Sequence, residues 1–138
     1  LKPRYLLDTN TLSEPFKRAP HRGLLSRLQE QQSLVATAAP VWHELIYGWQ
    51  RMAPSQRRRN LEEYLFSALA QLAVLPYDAA AAAHHATERA RLTAAGRTPA
   101  FVDGQIAAVA HVHGLVVVTH NVADFAAFSG IEIEDWTT

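Results

Sequence analysis

Cysteine is absent from the 138 residues, which excludes disulfides and thiolate metal sites and is compatible with a cytoplasmic protein. No apolar run approaches the roughly 20 residues that cross a bilayer, so no membrane partner is expected. The opening Leu1-Lys2-Pro3-Arg4 also lacks the apolar core of a secretory leader. An excess of either charge is missing too, with 13 basic residues against 13 acidic ones. Taken alone, that balance argues weakly against nucleic acid, because phosphate binding usually wants a basic face. Neither a phosphate-binding P-loop nor a Gly-rich dinucleotide fingerprint occurs. What is present is an ordinary globular composition, 49% apolar and 19% charged, in a chain that suits one domain spanning residues 1–138.

Two kinds of segment alternate along that chain. Short β-type runs appear at Arg4-Tyr5-Leu6-Leu7, Ser33-Leu34-Val35-Ala36-Thr37, Ala73-Val74-Leu75, Leu115-Val116-Val117-Val118 and Ile131-Glu132-Ile133. Helix-length stretches separate them, with Pro40 and Pro99 at helix starts and Gly114 at a helix end. The alanine run from Ala79 to Ala83 reads as strong helix former. Short apolar strands alternating with helices predict an α/β fold with a mostly parallel five-stranded sheet covered on both faces.

Four carboxylates occupy suggestive places. Asp8 directly follows the first strand, and Asp124 lies six residues past Val118. Glu44 and Asp103 each fall four residues after a proline, about one turn into a helix and at the edge of its apolar stripe. Ligands of open parallel sheets gather outside the carboxyl ends of the strands, where all four could converge. Each acid also has a bland reading. Asp8 can close a strand with an Asx-turn, and Glu44 can be a solvated helix residue. Asp103 can complement a helix dipole, though it lies rather far in for that; Asp124 can cap a short helix. Together in one cleft they would repel one another, and a divalent cation removes that conflict. An all-oxygen set suits Mg²⁺ or Mn²⁺ better than zinc, and phosphodiester hydrolysis is the chemistry such an ion supports. With these four committed, the 13 acidic residues fall to nine against 13 basic, and composition becomes neutral evidence.

Leu7-Asp8-Thr9-Asn10-Thr11-Leu12-Ser13-Glu14 resembles the opening strand and turn of PIN domains, specifically the VapC-type toxins and their FitB-like relatives. Val41-Trp42-His43-Glu44-Leu45-Ile46-Tyr47-Gly48 is similar to their second signature. Asp103 to Ala110, then Gly114 to Asn121 and Asp124-Phe125, resemble the third and fourth, in the family's order and across nearly the whole chain. The resemblance implies a single three-layer α/β/α PIN-like domain and an endoribonuclease, dependent on Mg²⁺ or Mn²⁺, that acts as the toxin of a toxin–antitoxin pair. It implies RNA as substrate, a small cognate antitoxin as partner, and a homodimer. Asp8 and Asp103 would be the principal metal ligands, with Glu44 and Asp124 completing the catalytic acids directly or through water. Thr9, Asn10, Thr119 and Asn121 would orient those carboxylates. One departure is His120, which stands where the family usually has a basic residue and makes that charge pH-dependent.

Other features read as structural. His43-Glu44-Leu45-Ile46-Tyr47 begins like a zinc-protease helix but lacks the second histidine. His84 and His85 are expected on solvated helix surface, and His113 in a last helical turn. Arg57-Arg58-Arg59 is most simply an exposed helix face, with an RNA-backbone contact as the minority reading. A haloacid-dehalogenase-like phosphatase would need an acid two residues after Asp8, where Asn10 stands. An RNA-processing nuclease without a toxin role and a non-catalytic RNA- or protein-binding module remain as alternatives.

Overall fold

The structure, a computed structural model, describes residues 2–138. Five strands form one sheet: β1 (Tyr5–Leu7), β2 (Val35–Ala38), β3 (Ala73–Leu75), β4 (Val116–Val118) and β5 (Ile133–Glu134). Their order is β3-β2-β1-β4-β5, and every pairing is parallel. The expected mostly parallel sheet is therefore wholly parallel. Seven α-helices among the described residues complete a three-layer α/β/α arrangement. They are α1 (Thr9–Leu12), α2 (Arg22–Glu30), α3 (Ala39–Gln50), α4 (Gln56–Glu63), α5 (Ala79–Ala94), α6 (Phe101–His113) and α7 (Val122–Phe125). One π-helical turn, Tyr64–Ala68, continues α4.

The two central strands are buried along their whole length, and helices on either side exclude water from them. Leu6, Val117 and Val118 lie at the centre of a core to which α6 adds Ile106, Ala107, Val109 and Ala110. Helix ends follow local chemistry. Asp8 and Asp78 accept the backbone N–H groups of Thr11 and Ala81, and Gly114 closes α6 in the left-handed conformation. Pro40 is the second residue of α3, as expected. Pro99 instead stands two residues before α6, because Ala100 is still extended at ψ 136. That places Asp103 third in its helix, within the first turn. The last strand also starts later than its apolar residues suggest, its ladder opening where the Val117 N–H donates to Glu132 O at 2.9 Å.

The two adjacent histidines of α5 depart from expectation. His84 is half-buried and stacks on His111 of α6, with ring centroids 3.8 Å apart and planes 4° from parallel. His85 is only 4% exposed, and a 2.7 Å hydrogen bond joins its Nδ1 to the Tyr77 hydroxyl. The reason lies on the neighbouring helix. Gly104 has no side chain, and a Cβ there would lie 2.2 Å from His85 Nε2, so the missing atom makes the slot that the imidazole fills. Gly104→Ala should overpack this seam and destabilise the fold by about 1–3 kcal/mol. Chemical denaturation of the variant beside the parent chain measures it.

Candidate active site

The sheet order reverses between β1 and β4, since the chain builds outward from β1 through β2 to β3 and then returns to add β4 and β5 on the other side. Such a reversal leaves a crevice at the carboxyl ends of the two central strands. Asp8 emerges there from β1 and is 5% exposed. Its N–H donates to Val118 O at 3.2 Å, and its Oδ1 accepts the Thr11 N–H at 2.9 Å. Asp8 therefore caps α1 instead of closing an Asx-turn, which engages one oxygen and leaves the second without a hydrogen bond among the described residues. Thr11 and Thr37, both buried, fasten the strand ends by donating to Val118 O at 3.1 Å and Leu7 O at 2.8 Å. Sequence reasoning missed the work of these hydroxyls, because their partners lie 107 and 30 residues away.

Glu44 projects from the middle of α3, and its Oε2 accepts the Thr9 hydroxyl at 2.8 Å. Asp103 stands in the first turn of α6 and is half-buried. Asp124 is the third residue of α7, exposed, with Asn121 rather than itself at the cap. Asp8, Glu44 and Asp103 share a cleft of 390 Å³ with Thr9, Asn10 and Asn121, floored by Ile106 and Phe125. A second cavity of 390 Å³ lies on the other flank of Asp103 and joins it to Asp124 and Arg97. Asp103 is the acid common to both. Thr119 is buried beneath, accepting the Asn121 N–H at 3.0 Å. A further cavity, 710 Å³ between α2, the π turn and the β2–β3 edge, is mainly apolar and has none of the four acids in its lining.

Burial pushes the Asp103 carboxyl up to about 6, and the charges of Asp124, Asp8 and Glu44 push in the same direction. None of the four forms an ion pair among the described residues. The ion pairs among the described residues are Lys17–Glu14, Arg27–Glu134 and Arg91–Glu88, all elsewhere. The charge of His120 acts on Glu14 and Asp135 instead. Among the described residues no three His, Asp or Glu side chains are drawn tightly enough together to close around an ion. The donor set nevertheless fits one: carboxylate oxygens, an uncommitted Asp8 oxygen, mutual repulsion and no competing cation in the cleft. Drawing the acids inward is what a bound divalent ion would do, by replacing repulsion with attraction.

Sequence reasoning also passed over the buried Glu88 of α5. Its carboxylate accepts Arg91 at 2.9 and 3.1 Å and the Ser129 N–H and hydroxyl at 2.6 and 2.7 Å. The hydrogen bond from Arg91 leads in holding its pKa near about 2, against the opposing effect of burial. Glu88 ties α5 to the segment after α7 and so steadies the side of the site carrying Asp124. The exposed Phe101, at the rim of the acidic cleft, went unnoticed as well.

A parallel α/β sheet with carboxylates gathered at its switch point defines a class of acidic-site α/β domains. The chain belongs to the PIN domain family, whose model matches residues 5–130. It is 35% identical to the tRNA(fMet)-specific endonuclease VapC of Salmonella typhimurium, over 96% of this chain and 98% of that protein. The crystal structure of FitAcB from Neisseria gonorrhoeae superposes with a TM-score of 0.87 at 30% identity, covering 96% of this chain and 97% of that one. DNA-bound VapBC from Salmonella typhimurium gives 0.85 at 34% identity, covering 97% and 98%.

The strained Asp103 carboxyl generates a prediction with a definite sign. The fold favours its protonated form, so without metal the stability Asp103 contributes is present below about pH 4 and is lost as pH rises to about 6. Asp103→Asn should abolish that loss. Because the side chain is only half-buried, the relief near pH 7 is on the order of 1 kcal/mol after solvent screening, or roughly 3–5 °C in melting temperature. Thermal melts of both proteins in EDTA from pH 4 to 7 read the difference directly.

Proposed function

We propose that this chain is a Mg²⁺- or Mn²⁺-dependent endoribonuclease acting in the cytoplasm as the toxin of a toxin–antitoxin pair. The observation that carries the reading is the uncompensated set of carboxylates around Asp103 at the sheet's switch point. The names of similar proteins, endonuclease and ribonuclease among them, support the same chemistry. Asp8, Glu44 and Asp103 would hold the ion in the shared cleft, with Asp124 reaching it from the other flank of Asp103. An ion held there would supply Lewis acidity, easing deprotonation of the attacking water and offsetting charge on the phosphate.

The chain's own groups prepare that chemistry. The Thr11 N–H pins one oxygen of Asp8, and the Thr9 hydroxyl fixes Glu44, so neither carboxylate swings freely. Asn10 and Asn121 offer amides inside the cleft, where they can orient a carboxylate or a sugar–phosphate oxygen. Thr119 sets the backbone at Asn121. Ile106 and Phe125 floor the cleft and limit the water available to screen these charges.

The solved neighbours include toxin–antitoxin complexes, which supports an antitoxin partner here. The apolar cavity lined by Leu12, Leu25, Leu28, Tyr64, Leu69 and Leu72 suits an amphipathic segment of that partner. An Arg or Lys on the same segment would inhibit by entering the acidic cleft in place of the metal. Self-association into a homodimer belongs to the same reading, with the exposed Tyr47 and Phe66 as apolar surface available to it.

Purified protein should cut RNA with Mg²⁺ or Mn²⁺ and stop in EDTA; equal cutting in EDTA overturns the assignment. Asp8→Asn and Asp103→Asn should keep the fold and lower the cleavage rate by more than about 100-fold, the upper end of what losing an outer-shell partner costs a metal site. The antitoxin complex should bind Mn²⁺ more weakly than the free chain, and Leu28→Glu should release the antitoxin on co-purification. A complex indifferent to both would place inhibition elsewhere.

A further inference from the structure

Phe101 is the first residue of α6, 50% exposed, and it lines the acidic cleft two positions from Asp103. A single exposed ring is ordinary on a protein surface; this one is set apart by its place on the cleft that holds Asp8, Glu44 and Asp103. His85 packs against the ring, with centroids 4.8 Å apart and planes 56° from parallel. Neither partner of His85 can yield: Tyr77 holds Nδ1 at 2.7 Å, and the slot over Gly104 fits the imidazole closely. From α5 the Arg89 guanidinium lies over the phenyl ring, 5.2 Å from its centroid. Arg89 makes no ion pair among the described residues.

The cleft itself sets a problem for an RNA substrate. The three carboxylates at its wall repel a phosphate that approaches, and a divalent ion held by them would offset that repulsion at one point only. Binding strength must come from contacts that need no phosphate, or from cations placed away from the acids. An aromatic ring at the cleft rim provides the first, since stacking of one base on such a ring is worth about 1–3 kcal/mol and tolerates any base. Arg89 provides the second, beside the same ring. We infer that Phe101 is a base-stacking platform for the nucleotide next to the scissile phosphate, the exposed Arg89 side chain leaving the ring to take up the adjoining backbone phosphate. The inference rests on the nuclease reading and adds to it a residue that binds a base of the substrate through its ring face.

A single-stranded RNA carrying 2-aminopurine tests it, with binding read by fluorescence in EDTA and cleavage read separately with Mn²⁺. The parent chain should quench the fluorophore. Phe101→Leu keeps the apolar bulk and removes the π face, so it should lose the quenching and weaken binding about 10-fold, which corresponds to about 1.4 kcal/mol. In cleavage the loss should fall on KM rather than kcat. Phe101→Tyr should restore both readouts, and circular dichroism melts confirm that each variant folds. Quenching and affinity unchanged in Phe101→Leu overturn the proposal. So does a Phe101→Leu chain that handles RNA normally but releases a bound protein partner or a second copy, which would make the ring a protein contact. If the parent chain bound RNA but never cut it with Mg²⁺ or Mn²⁺, the nuclease reading would fall while the quenching pattern still upheld the platform.

Discussion

Strands β1 and β4 lie side by side in parallel, yet the chain leaves them toward opposite sides of the sheet, and the crevice between their carboxyl ends governs the rest of the molecule. The turn after β1 delivers Asp8, and the turn after β4 delivers Thr119 and Asn121, all to one edge. Helices α3 and α6 then bring Glu44 and Asp103 to the same edge from flanking positions. Threonine hydroxyls fasten the strand ends: that of Thr37 donates to the Leu7 carbonyl, and that of Thr11 joins the Asp8 N–H on the Val118 carbonyl.

Gathering like charges is unfavourable, and the fold offsets part of it with backbone dipoles. Asp8 caps α1, while Asp103 and Asp124 occupy the first turns of α6 and α7. Each position sees the partial positive charge of a helix N-terminus. Glu44 has no such place and takes a hydroxyl hydrogen bond instead. The structural and functional readings of these acids are therefore not rivals. Capping stabilises an acid where a ligand is wanted, and the repulsion that remains, concentrated on Asp103, is the part a divalent cation would remove.

A second dependence runs through the seam between α5 and α6. Gly104 lets the helices approach, His85 fills the slot, and Phe101 packs against His85 where α6 meets the cleft. Glu88, one turn further along α5, anchors the segment that follows α7 through Ser129. Packing on the outer face of α6 thus positions groups on both flanks of Asp103. Substitutions in this seam act on the site without touching any of its carboxylates.

Much of this protein was determined by the sequence at short range. Strand and helix alternation, the Asp78 and Gly114 helix ends, and the motif blocks that place the chain among PIN domains all rest on neighbours within a few residues. The four acids were legible for the same reason, as was the threonine beside Asp8. Tertiary structure decided the rest. It made the sheet wholly parallel, put Asp8, Glu44 and Asp103 in one cleft with Asp124 on the far flank, and buried His85. It also moved Asp103 into a first turn by keeping Ala100 extended. Local periodicity tells which face of an element is apolar, but not which element will cover it. Gly104 opposite His85, or Thr11 beneath Val118, acquires its meaning only when residues far apart in the chain are brought into contact.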